Sequence, residues 1–366
     1  MEGACRECPP WTIYRLGLQM IRIAVGQSAV LTDEYLMFAA QIGVSGVQLN
    51  TPDLPGERYW RAADLIALRE RVESFGLKLE AIENIPNSFY DRVILGEQGR
   101  DAQAENVSRT IRALGEADVP VLGMNWMSRS VWRTALGPFG RGGSLASRFE
   151  LDVASDPTRL GDVWVARRDR RGVESKDSWT RGGHLGIGPT AMTEEHMWDN
   201  LMWFLSLVLP VAEEAGVTLA FHPDDPPVDS LLGLPHILRD SASLNRLVDA
   251  FNSPALAIDL CLGTISERGG EPEVLRAIYT LGRKGRIAYV HARDVQGVLP
   301  NFTECFLGEG NYSPRKAIAA LSEVGFDGFI LDDHSPGMTG DDAYGYRGRA
   351  FALGYLMALV QDVNGG

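Results

Sequence analysis

The feature that most constrains this chain is a repeated phrase: an amphipathic helical stretch, a glycine, then a short apolar run rich in β-branched residues. It recurs at Gly43, Gly76, Gly216 and Gly325, where a glycine just past a helix's last turn takes the left-handed cap position. The apolar runs are Met20–Val25, Gly46–Leu49, Leu77–Ile82, Val119–Met124, Val217–Phe221, Ala255–Ile258, Arg286–Val290 and Gly328–Leu331, eight in all. Helical stretches such as Asp33–Ile42, Ala62–Phe75, Asn106–Glu116, Met197–Ala215, Ser243–Phe251, Glu273–Leu281 and Pro314–Val324 lie between them. A helix between two strands carries the chain back to its starting edge, so the strands run parallel. Eight such units close on themselves, which predicts a TIM (β/α)8 barrel. The length of 366 residues suits one barrel domain over residues 20–366. Residues 1–19 read as a flexible leader.

One segment breaks the rhythm. Ser128–Thr193 is rich in Gly, Arg and Asp and holds no sustained period. An insertion of about 128–193 follows the fourth strand and would lie over the C-terminal mouth, so we read it as a lid or an oligomer arm. An insertion without a role is the alternative. The leader's Cys5 and Cys8 form a lone CxxC, too little for a zinc site, and four cysteines in this length are no disulfide framework.

The net charge of -13 argues against a nucleic-acid partner, which needs a basic face. No apolar run approaches the roughly 20 residues needed to span a bilayer, and MEGACRECPPW lacks the order of a secretory signal. A cytoplasmic protein without a membrane partner is the expectation.

In such a barrel the chemistry collects where strands end. Strand three leads into Glu83 and Asn84, and strand four into Asn125 and Trp126. Strand five leads into His222 in FHPDDPP, and strand six into Asp259 and Cys261 in IDLCLG. Strand seven leads into His291, Arg293 and Asp294 in VHARD, and strand eight into Asp332, Asp333 and His334 in LDDHSPGM. Turns do not require His, Cys, His and Asp-His at four consecutive strand ends. Singly, a strand-end His is more often structural and Cys261 a small core residue. Together, two imidazoles, a thiolate and a carboxylate suit a divalent transition metal. Arg293, two residues past His291, points to the same side and could grip a substrate carboxylate or pair with a neighbouring Asp. Asp224 and Asp225 could orient His222 or cap a turn. Glu83 could bind substrate hydroxyls, carry protons or pair with an Arg. Glu304 and Glu309 read by default as solvated loop acids, His196 and His236 as structural, and His184 stays undecided.

At these residues the sequence resembles the mannonate dehydratase family, a metal-dependent branch of the xylose-isomerase-like barrels. The matching phrases are LAFHPDDPP, the LCLG segment at Cys261, VHARDV, and DDHSPGM followed by Tyr344 and Arg349. The resemblance implies dehydration of D-mannonate to 2-keto-3-deoxy-D-gluconate, with a metal on His222, Cys261, His291 and Asp333. Mn²⁺ is the first choice, with Fe²⁺, Co²⁺ and Zn²⁺ as alternatives. It further implies His334 and Tyr344 as acid/base groups beside Asp333. Glu83, Asn125, Arg293 and Arg349 make the expected substrate-binding set, and a homo-oligomer, dimer or tetramer, is expected. One departure lies near strand two, where family members carry a His-containing segment and VQLNTPDLPGERYW has none. An isomerase or epimerase using the same metal and barrel is the alternative activity.

Overall fold

A computed structural model of the chain describes residues 21–127, 131–156, 158–159, 164–166, 179–181, 192–342 and 344–365. The leader with Cys5 and Cys8, and His184, lie outside them. The eight expected strands are all present, as β1 (Arg22–Ser28), β2 (Gly46–Asn50), β3 (Lys78–Glu83), β4 (Val121–Met124), β5 (Thr218–Phe221), β6 (Leu256–Cys261), β7 (Ile287–Ala292) and β8 (Phe329–Asp332). Every neighbouring pair is parallel, and β1 pairs with β8 to close the barrel. Ala24, Ala81, Ala220, Tyr289, Phe329 and Leu331 fill its inside. The larger apolar core, Val47, Leu122, Phe204 and Leu260 among it, lies in the main cluster that strands and surrounding helices share.

The helix signals are physical ones. Thr32 accepts a hydrogen bond from Tyr35 N to start Asp33–Ile42, and Gly43 ends it at φ 88°. Gly76, Gly216 and Gly325 also take positive φ, a conformation costly for any residue with a Cβ. The predicted helix Glu273–Leu281 is the second half of Leu262–Gly282, which bends at Gly270. Its first half was hidden by a polar, glycine-rich sequence.

The insertion is where the sequence says least. Its described parts include short strands, and Ala146–Glu150 pairs antiparallel with Asn301–Cys305, a strand from the loop after β7. That strand in turn pairs with Asp294–Gln296, so the insertion is stitched to the loop that follows β7. Strands of two to five residues are too short to leave a readable period.

Candidate active site

The barrel's register brings the predicted donors together. Cys261 at the end of β6 sits directly opposite His291 on β7, and His291 opposite Leu331 on β8, two residues before Asp333. Backbone N of His222 donates to Met124 O at 2.7 Å, which fixes the exit of β5. One donor atom each from His222, Cys261 and His291 falls within 4.8 Å of the other two. Asp333 Oδ2 lies 3.9 Å from Cys261 Sγ and 3.7 Å from His291 Nδ1. All four side chains are buried. Four residues separated by up to 111 positions thus share one small volume.

Cys261 is also the N-cap of Leu262–Gly282, its Sγ accepting from Thr264 N at 3.5 Å. Burial alone would raise its thiol pKa, but Arg293, with Nη2 3.6 Å from the sulfur, and the two imidazoles hold it well below the ordinary value. A helix N-terminus favours the thiolate for the same reason. Burial works against a charged His222, yet Asp259 and Cys261 push it up to about 9. Thiolate and imidazolium therefore favour one another in this cluster, and a bound cation would take the place of the protons.

Several buried atoms here have no hydrogen bond among the described residues: both ring nitrogens of His291, both oxygens of Asp259 and Oδ1 of Asp333. Buried polar atoms are nearly always paired, so such a concentration is informative. A divalent ion held by His222, Cys261, His291 and Asp333 would satisfy His291 Nδ1 and the Asp333 carboxylate, and imidazole with thiolate is a good soft-to-borderline set. The residues fit the group.

The chain matches the family profile of D-mannonate dehydratase (UxuA) over residues 27–365. It belongs to the D-mannonate dehydratase family. Mannonate dehydratase 2 of Halalkalibacterium halodurans is 32% identical over 332 residues, covering 88% of this chain and 93% of that protein. Mannonate dehydratase of Thermotoga neapolitana is 31% identical over 344 residues, covering 88% and 91%. The mannonate dehydratase structure from Streptococcus suis serotype 2 superposes with a TM-score of 0.78 at 26% identity, covering 94% and 95%. An L-ribulose 3-epimerase at 16% identity and TM-score 0.58 shares the barrel fold. The family is metal-dependent, in keeping with the donor cluster. Among the described residues no helix is long and apolar enough to cross a membrane.

The remaining predicted site residues of this D-mannonate dehydratase family member divide into two groups. Glu83 and Asn125 lie near the cluster. Glu83 Oε2 is 3.1 Å from His291 Nε2 and accepts from Gln27 at 3.3 Å and from Gln48, while Oε1 accepts from Asn84 at 3.2 Å. Among the described residues no Arg pairs with it, contrary to one expectation. Asn125 donates to Asn84 Oδ1 at 2.5 Å and so extends the same chain of amides. Tyr344 and Arg349 attach elsewhere. The Tyr344 hydroxyl donates to Gly26 O at 2.9 Å, and Arg349 donates to Asp332 Oδ2 at 2.6 Å and to Tyr344 O at 2.9 Å. They brace β1 against β8.

Arg293 presents no open fork to a substrate carboxylate. Its Nη1 binds Glu267 at 2.6 Å and Glu304 at 3.1 Å, and its Nη2 binds Asp225 at 2.9 Å and Thr264 at 2.7 Å. Nε lies 3.3 Å from Asp333 Oδ2, close enough for charge attraction but outside hydrogen-bond geometry. The ion-pair reading of Arg293 describes these surroundings. Asp225 serves Arg293 and Arg133 rather than His222, whose Nδ1 meets Pro223 O at 2.6 Å. Asp224 instead accepts from Leu238 N at 3.0 Å, as a turn cap.

Sequence reasoning missed Arg133, Glu267 and the buried state of Glu304. Glu304 accepts from Arg133 Nη2 at 2.9 Å and meets His334 Nδ1 at 2.8 Å. It is no solvated loop acid. Glu309, the other loop acid, pairs with Arg141. No spacing rule links positions 133 and 304, so only the antiparallel sheet between insertion and loop reveals the pair.

Proposed function

We propose that this chain dehydrates D-mannonate to 2-keto-3-deoxy-D-gluconate and water at the cluster of His222, Cys261, His291 and Asp333. The observation that carries the reading is the convergence of one sulfur, two imidazoles and one carboxylate, from four successive strand ends, in a D-mannonate dehydratase family member. The product fixes what must leave: the proton on C2 beside the carboxylate and the hydroxyl on C3, after which the enol becomes the 2-keto acid.

Those four residues would hold a divalent ion, Mn²⁺ first and Fe²⁺, Co²⁺ or Zn²⁺ as alternatives, which would supply electrophilic stabilisation of negative charge on substrate oxygens. His334 carries protons: its Nε2 lies 3.5 Å from Asp333 Oδ1, at the edge of the cluster. A positioned general acid or base of this kind contributes about 10²–10⁴-fold. Tyr344 is the second acid/base candidate, and it must exchange its bond to Gly26 O for the substrate to play that part. Glu83 and Asn125, on one amide chain beside His291, are the groups placed to read substrate hydroxyls; Arg349 holds Asp332 and thereby the turn bearing Asp333.

The test is to incubate the Mn²⁺-loaded protein with a panel of aldonic acids and follow 2-keto-3-deoxy product. D-mannonate should be consumed, and chelation should stop it. Full activity after chelation would overturn the reading. Deuterium exchange from solvent without loss of water would select the isomerase instead.

A further inference from the structure

We propose that Glu304 is the positioning residue of His334, and that the insertion acts in catalysis by supplying Arg133 to hold Glu304 in place. This rests on the reading of His334 as the proton carrier.

The geometry builds up from the backbone. His334 follows Asp333 at φ 41°, in the left-handed region that a residue with a Cβ rarely adopts. A strained backbone of this sort persists only where the surroundings over-determine it. One contact that holds the side chain is Nδ1 to Glu304 Oε1 at 2.8 Å. A neutral imidazole that donates Nδ1–H to a carboxylate has Nε2 as its proton acceptor, and Nε2 is the nitrogen facing Asp333. The bond thus selects both the tautomer and the direction of the ring, as second partners of functional histidines commonly do.

Glu304 is itself held. Its backbone lies on Asn301–Cys305, in register with Val295 on one side, and the same strand pairs with the insertion's Ala146–Glu150 on the other. Its Oε1 accepts from Arg293 Nη1 at 3.1 Å, and from Arg133 Nη2 at 2.9 Å and Nε at 3.3 Å. Arg133 is fully buried and is clamped on its other edge by a bidentate pair with Asp225, at 2.6 and 2.9 Å. Such a planar fork fixes two carboxylates at once, a task a lysine cannot perform. Arg133 belongs to the insertion, so the barrel alone supplies Arg293 but not the second guanidinium that holds Glu304. The insertion is part of the site.

The experiment reads the ring directly. Protein labelled with ¹⁵N-histidine is loaded with diamagnetic Zn²⁺, and the His334 signals are identified by their loss in His334→Asn. The wild type should show a protonated Nδ1 and an unprotonated Nε2. Glu304→Leu and Arg133→Met should move population to the other tautomer, whereas Glu304→Gln, which keeps an oxygen acceptor, should not. In Mn²⁺-loaded enzyme Glu304→Leu should lose about 10²-fold in kcat while KM and metal content hold, and Glu304→Gln should recover most of that loss. An Nε2-protonated His334 in the wild type overturns the proposal without any variant. So does a Glu304→Leu enzyme that keeps both tautomer and kcat. Should the wild type leave D-mannonate untouched, the reading of the activity fails, and the tautomer still decides the role of Glu304.

Discussion

The donor cluster has two flanks, and they are built on opposite principles. On the outer flank, beyond the strand ends, Arg133 and Arg293 meet Asp225, Glu267 and Glu304 in a fully buried lattice of ion pairs. On the inner flank, one layer deeper in the barrel, Asp259 sits 3.4 Å from His291 Nε2, and among the described residues neither its oxygens nor the buried Tyr289 hydroxyl makes a hydrogen bond of good geometry. Burial pushes Asp259 up to about 7, against the pull of His291 and His222. The outer flank pairs both of its guanidinium groups with carboxylates, leaving only Glu267 Oε2 and Arg293 Nε without a hydrogen bond among the described residues, and it sets geometry. The inner flank has electrostatic need left over, beside the donors. On the proposed reading, this barrel uses its ion pairs to aim side chains, and a cation at the donors would complete the charge balance beside them.

The largest effect that would sharpen this contrast is His222→Ala. It removes an imidazole donor, so turnover and stoichiometric metal binding should both vanish, while circular dichroism and apo-protein melting stay near wild type. Normal turnover would dismiss the donor set. Next comes Arg293→Met, which breaks the outer lattice and leaves buried carboxylates uncompensated; urea unfolding should show a loss of roughly 3–5 kcal/mol even without metal. A stable apo variant would erase the distinction between the flanks. Chelation of the wild type comes third, lowering stability by about 2.7 kcal/mol when the metal had stood at 100 times its dissociation constant. Asp259→Asn follows. It should weaken metal affinity by about 10–100-fold and cost the apo protein less than Arg293→Met does, since the carboxyl makes no hydrogen bond of good geometry among the described residues and lies beside the His291 imidazole. If it destabilised the apo protein as much as Arg293→Met, the inner flank would be structural after all. Arg315→Ala, which breaks the exposed pair with Asp362, should leave the melting temperature unmoved.

The barrel was legible because its signals are local. Each strand is an apolar run that a glycine cap precedes or a turn follows, and His222, Cys261, His291 and Asp333 each stand at or just past such a run. Position along a strand was enough to place them at the mouth, and period two was enough to put Asp259 and Cys261 on one face, in successive tiers opposite Tyr289 and His291. The outer flank was illegible because its pairings are not local. Arg133 and Glu304 lie 171 positions apart on short strands whose partners no periodicity announces. Glu267 stands in the half-helix masked by GTISERGG. Arg293 was visible as a strand-end cation, but which anion it meets depends on Asp225, Glu267 and Glu304, which arrive from other loops and helices. Tyr344 and Arg349 came through the family resemblance, and their contacts tie the C-terminal segment to β1 and β8.

The most direct measurement is X-ray absorption at the metal edge of the Co²⁺- or Zn²⁺-loaded protein, paired with Cys261→Ser. The account predicts one sulfur and two imidazole scatterers in the wild type, and loss of the sulfur shell alone in the variant. A metal bound through oxygen only, or a sulfur shell that survives Cys261→Ser, would contradict it.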